Sequence, residues 1–158
     1  MGSLGKLKTL NLSRNDIWHT GMVSFLEAVA SGALAKLETL CLSENQIGDA
    51  GMIALAEALQ PTDKFPMGAL GGLMGLFLSH NTIGDAGLAA FSRAIASGSL
   101  AKLETLLLYG NKIGNEGMEA FSSAISSGAP GGALGSLSKL DLDGNQIGDD
   151  GMAAFSNA

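Results

Sequence analysis

One spacing recurs five times along the chain. Leu-x-x-Leu-x-Leu-x-x-Asn-x-Ile stands at Leu7–Ile17, Leu37–Ile47, Leu73–Ile83, Leu103–Ile113 and Leu137–Ile147, with starts 30, 36, 30 and 34 residues apart. No bulk property constrains the fold as tightly. A single short copy cannot bury its own apolar side, whereas stacked copies share one continuous core.

Within a copy, Leu40 and Leu42 alternate with Thr39, Cys41 and Ser43, the period of two that belongs to a strand with leucines inward. Asn45 follows where the chain must turn, and its amide can bond loop backbone that would otherwise be buried without partners. Asn15, Asn81, Asn111 and Asn145 hold the same place, so an asparagine ladder is expected. Next comes Ile47-Gly-Asp-Ala-Gly-Met52, copied at 83–88, 113–118 and 147–152. Met52, Leu55, Ala56 and Leu59 then keep helical spacing and form one apolar stripe. Asp49, Asp85, Glu116 and Asp149 stand at the helix starts, where a carboxylate can cap the helix or meet the positive end of its dipole. Ser31-Gly32 and Ser97-Gly98 read as helix stops.

The expected fold is α/β, with five strand–turn–helix repeats over about 7–36, 37–72, 73–102, 103–136 and 137–158, the last incomplete. Parallel strands joined through helices wind right-handedly, and the wider helical layer curves the stack with strands on the concave face. Residues 1–158 read as a single domain. The longer returns at Gln60–Gly68 and Gly128–Ala133 are expected to bulge from one rim, with Phe65 and Met67 tucked onto the core.

Leu7, Leu10, Leu12, Asn15, Ile17 and Gly21, with their counterparts, resemble the leucine-rich repeats of the ribonuclease-inhibitor-like class over nearly the whole chain. The resemblance implies a horseshoe whose strand-lined face or adjoining loops grip another macromolecule. It is compatible with inhibitors, GTPase-activating proteins and immune receptors alike, because a shared fold does not fix a function. Arrays of this kind usually shield their ends with atypical units. None is legible here, so the chain reads as a segment of a longer array, with self-association through uncapped ends as a consequence. Trp18-His19-Thr20 replaces the Gly-Asp-Ala pattern in the first turn, and Trp18 is read as a cover over the first repeat or a second binding anchor.

A formal charge of −6 is spread unevenly, with Lys6, Lys8 and Arg14 early and Asp141, Asp143, Asp149 and Asp150 late. No basic stripe exists to favour nucleic acid, and no apolar run reaches the roughly 18 residues a membrane helix needs. One cysteine and an N-terminus without a signal-peptide pattern point to the cytoplasm. His19 and His80 belong to repeats too far apart to share a metal, and Gly71-Gly-Leu-Met-Gly75 lacks the phosphate-loop spacing. Asp141-Leu-Asp-Gly-Asn145 is repeat, not calcium loop, because Met152 occupies the twelfth place where a carboxylate is required. No cofactor, metal or catalytic group is expected.

Register gives the outward positions. The central row is Asn11, Cys41, Phe77, Leu107 and Asp141; beyond it lie Ser13, Ser43, Ser79, Tyr109 and Asp143, then Arg14, Glu44, His80, Gly110 and Gly144. Neighbouring strands sit about 5 Å apart, so Cys41, Phe77 and Leu107 form an apolar row bordered by Tyr109, with polar groups at both ends. Aromatics ringed by polar residues are typical of interface centres. The expected function is a non-enzymatic scaffold that binds a protein or peptide there, with a regulator of an enzyme or a receptor segment as alternatives.

Overall fold

The computed structural model describes residues 4–127 and 133–157. Five strands alternate with five helices: β1 Thr9–Asn11, α1 His19–Ala30, β2 Thr39–Cys41, α2 Gly48–Leu59, β3 Gly75–Phe77, α3 Asp85–Ala96, β4 Thr105–Leu107, α4 Asn115–Ser126, β5 Lys139–Asp141 and α5 Asp149–Ser156. The strands form one parallel sheet in the order β1-β2-β3-β4-β5. Its register sets Leu10, Leu40, Leu76, Leu106 and Leu140 side by side. Each helix packs on the next, giving an α/β leucine-repeat solenoid.

Leu40, Leu76 and Leu106 are fully buried, as are Leu42, Leu78 and Leu108 two positions on. Met52, Leu55, Leu88, Phe91 and Ile95 meet them from the helices, so one cluster runs through the stack. Burying each of these side chains stabilises the fold by roughly 1.5–3 kcal/mol. In the outermost repeats burial thins, since Leu10 and Leu140 are only partly covered.

The strands are shorter than the motif implies. Three residues pair in each, so the columns at Ser13 and Arg14 lie past the strand ends, in the turn. Arg14, Glu44 and His80 adopt left-handed backbone with φ of 61°, 56° and 55°, and Gly110 and Gly144 match them at 68° and 64°.

Asparagines tie the turns together. Asn111 Oδ1 accepts the amides of Asn81 at 2.9 Å and Ile83 at 3.0 Å, while its Nδ2 donates to the carbonyls of Leu78 and Leu108. Asn45, Asn81 and Asn145 likewise bond the repeat before them. Asn15 bonds only its own turn among the described residues.

Helix starts differ from expectation in one respect. Asp49 and Asp85 do not cap their own helices; each caps the helix of the following repeat. Asp49 Oδ1 accepts the amides of Gly84 at 2.7 Å and Gly87 at 2.9 Å, and Asp85 Oδ1 those of Gly114 and Gly117. In the fourth repeat the acceptor is Asn115, which receives Gly148 N–H at 2.7 Å, and not Glu116. The start of the neighbouring helix lies directly beside each of the Asp49 and Asp85 carboxylates, within hydrogen-bond reach. Gly87 and Gly117 are glycine for this reason: a Cβ on either would stand 2.6 Å from the capping oxygen.

Of the first longer return, Phe65 packs on the core beside Gly32, and Lys64 Nζ donates to the carbonyls of Ala30 and Ser31 at the end of α1. Met67 does not tuck in; it is 45% exposed. Most of the second return lies outside the described residues, so its rim is not assigned. Trp18 is 53% exposed and leaves the first repeat uncovered.

Candidate functional site

The central outward row follows from strand register: Asn11 pairs with Cys41, Cys41 with Phe77, Phe77 with Leu107 and Leu107 with Asp141. Cys41, Phe77 and Leu107 are half-buried, which is less exposure than an outward strand position in isolation would have. Gly75 contributes to the cover over Phe77. Its outward position is empty, and a Cβ there would lie 3.4 Å from Phe77 Cζ, so the ring lies along its own strand over the vacant place.

Tyr109 and His80 meet edge to face, with ring centroids 4.9 Å apart and planes at 89°. His80 in turn sits over Gly110, where any Cβ would collide with the imidazole. The structure thus sets Phe77 beside Leu107 in the sheet and, just past the ends of β3 and β4, His80 against Tyr109. Gly75 and Gly110 shape this patch; the other four repeats carry a side chain at the first position, and the first three at the second.

Polar groups bound the row. Arg14 Nε donates to Glu44 Oε1 at 2.9 Å, and this partner pushes the guanidinium further above its ordinary pKa. The pair is exposed and contributes little to stability. Asn11 and Asp141 each accept an amide two residues on, from Ser13 and Asp143, so the outer members of the row are engaged with their own turns. Ser79, read as outward, is instead fully buried, and its Oγ has no hydrogen-bond partner among the described residues.

Burial pushes the Cys41 thiol above its ordinary pKa. Thiolate is the reactive form, so at pH 7.5 alkylation by iodoacetamide should be several-fold slower than in the unfolded chain. The rate should keep rising at a pH where an exposed thiol has already levelled off. A rate equal to that of the unfolded chain across the titration would contradict this placement. No group of three or more His, Cys, Asp or Glu that could hold a metal occurs among the described residues. No helix there is long and apolar enough to cross a membrane.

The sequence pattern described as "Leucine Rich repeat" matches residues 6–26, 33–56, 76–92, 99–122 and 136–156. The chain belongs to the leucine-rich repeat family. No curated protein sequence matches it. Among solved structures, this leucine-rich repeat chain is similar to one titled "Leiomodin-1 Actin-Binding Site 2 (ABS2)", with a TM-score of 0.69 and 18% identity over 97% of this chain and 79% of that one. An internalin from Listeria monocytogenes aligns at a TM-score of 0.44 and 22% identity, over 97% of this chain and 46% of that one. At 18% identity the likeness to the leiomodin-1 structure speaks for the fold alone.

Proposed function

We propose that the five repeats act as a single unit, a non-enzymatic scaffold that grips a protein or peptide through its strand-lined face. The observation that carries this reading is the patch of Phe77, Leu107, Tyr109 and His80, continued by Cys41 and flanked by Arg14, Glu44, Asn11 and Asp141. Apolar and aromatic groups ringed by polar ones are the composition of interface centres.

On this reading the scaffold works in the cytoplasm and its repeats are of the ribonuclease-inhibitor-like class. Because the leiomodin-1 segment is titled as an actin-binding site, actin is the first bait to try, alongside an unbiased pull-down. Phe77→Asp combined with Leu107→Asp should weaken capture at least 30-fold, about 2 kcal/mol for loss of one interface hot spot. The circular dichroism spectrum should stay nearly unchanged. A bound partner should also shield Cys41 from alkylation. Capture unaltered by the double substitution would place the site elsewhere.

A further inference from the structure

Met74 stands at the edge of the strand-lined face, outside the patch already described. It lies immediately before β3 and is 39% exposed. Its amide donates to Glu38 O at 2.8 Å, and Glu104 N–H donates to Met74 O at 2.8 Å. Glu38, Met74 and Glu104 thus hold the same place in the second, third and fourth repeats, about 5 Å apart. Gly75, the next residue, has no side chain to stand between this row and the apolar one. The Phe77 ring reaches back to 3.4 Å from where a Cβ on Gly75 would be.

Charge around the apolar row has one sign. Residues 38–45, 74–81 and 104–111 carry β2, β3, β4 and the turns that follow, and they hold the carboxylates of Glu38, Glu44 and Glu104 with no lysine or arginine. Two of the three are matched from the first repeat, Glu38 by Lys8 at 2.8 Å and Glu44 by Arg14 at 2.9 Å. Glu104 is exposed and forms no ion pair among the described residues. On the adjoining strand Lys139 and Asp141 offset one another in charge. An exposed methionine therefore lies between an aromatic ring and an unmatched carboxylate. A lysine or arginine suits such a surface, because its apolar stem covers hydrophobic groups while its charged end stays at the water-facing edge. Methionine adapts its shape to what lies on it.

We propose that the protein segment bound on this face carries a lysine or arginine beside an apolar side chain. The apolar group sits on Phe77 and Leu107; the basic one lies over Met74 with its charge on Glu104. This rests on the binding role proposed above and adds the chemistry of the partner.

The probe is a displayed library of short random peptides, selected on the immobilised 158-residue chain at physiological ionic strength. Recovered peptides should be enriched in Lys or Arg within a few residues of Leu, Phe or Trp. Synthesised singly, the tightest should lose about tenfold in affinity to Glu104→Lys and about threefold to Glu104→Gln, and both losses should shrink as salt is raised. Glu119→Gln, on the exposed side of α4, removes the same charge and should leave affinity unchanged. Phe77→Asp separates a seated peptide from diffuse attraction to an acidic chain: the added carboxylate strengthens the second and abolishes the first. Peptides that require Phe77 and Leu107 but are neutral or acidic, or that ignore Glu104→Lys, overturn this proposal and leave the scaffold reading standing. Basic peptides whose binding survives Phe77→Asp with Leu107→Asp overturn both. A selection that enriches no sequence overturns the proposal as well.

Discussion

Asn111→Ala should lower the unfolding free energy by about 3–5 kcal/mol, the largest loss expected from any polar substitution in the chain. The carbonyls of Leu78 and Leu108 keep a partner after the change, because Asn81 Nδ2 bonds the first and Asn145 Nδ2 the second. The amides of Asn81 and Ile83 are less fortunate. Both residues are fully buried, and the amide oxygen of Asn111 is the acceptor both of them use. Two buried N–H groups left without partners cost about 1–3 kcal/mol each. Asn15→Ala makes the control, since Asn15 is exposed and bonds only its own turn, and should cost less than about 1 kcal/mol. Urea denaturation followed by circular dichroism measures both. In a stack where each repeat touches only its neighbours, a lesion between the third and fourth also loosens their coupling, so the urea dependence should broaden. Equal losses for the two variants would mean that the ladder is not what holds the turns together.

The repeat architecture is legible because the same leucines do the same work five times. Leu40, Leu76 and Leu106 are adjacent in the sheet for the reason they are periodic in sequence: each fills the space between its neighbours. Helix positions such as Phe91 and Phe121 were readable on the same ground, and both are buried. Features that depend on contact between repeats were not. Asp49 looks like an ordinary helix-start carboxylate, and only the position of Gly84 and Gly87 shows that it serves the next helix. Alignment of Glu116 with Asp49 and Asp85 fails for the same reason, because charge suggests glutamate whereas geometry selects Asn115, one residue earlier.

The candidate surface divides similarly. Strand register placed Asn11, Cys41, Phe77, Leu107 and Asp141 in one row, and the sheet pairs them so. Period-two reasoning ends with the strand, however, and the strands end at that row. Ser79 lies beyond it, where alternation no longer governs direction, and is buried instead of outward. His80 and Tyr109 meet through a turn conformation and through the missing side chain of Gly110, neither of which periodicity encodes.

Asp85→Ala should cost about 2–3 kcal/mol, since it removes one acceptor from two amides at the start of α4. Asp85→Asn should retain most of the stability, because an asparagine oxygen already fills the same role one repeat later. The partner substitution makes the argument sharper. Alanine in place of a helical glycine ordinarily gains about 0.5–1 kcal/mol, but Gly117→Ala should destabilise, with its Cβ 2.6 Å from Asp85 Oδ1 and 3.1 Å from Asp85 Cα. Once the carboxylate is gone, the nearer of those clashes disappears. In the double variant the alanine should therefore cost less than it does alone, giving a coupling of at least about 1 kcal/mol in a double-mutant cycle. Strict additivity would show that Asp85 and Gly117 do not share the contact, and with it would fall the account of why glycine recurs at 87, 117 and 151. A coupling confined to this pair, and absent between Asp85 and Gly87 in its own helix, would establish that each helix is started by the repeat before it.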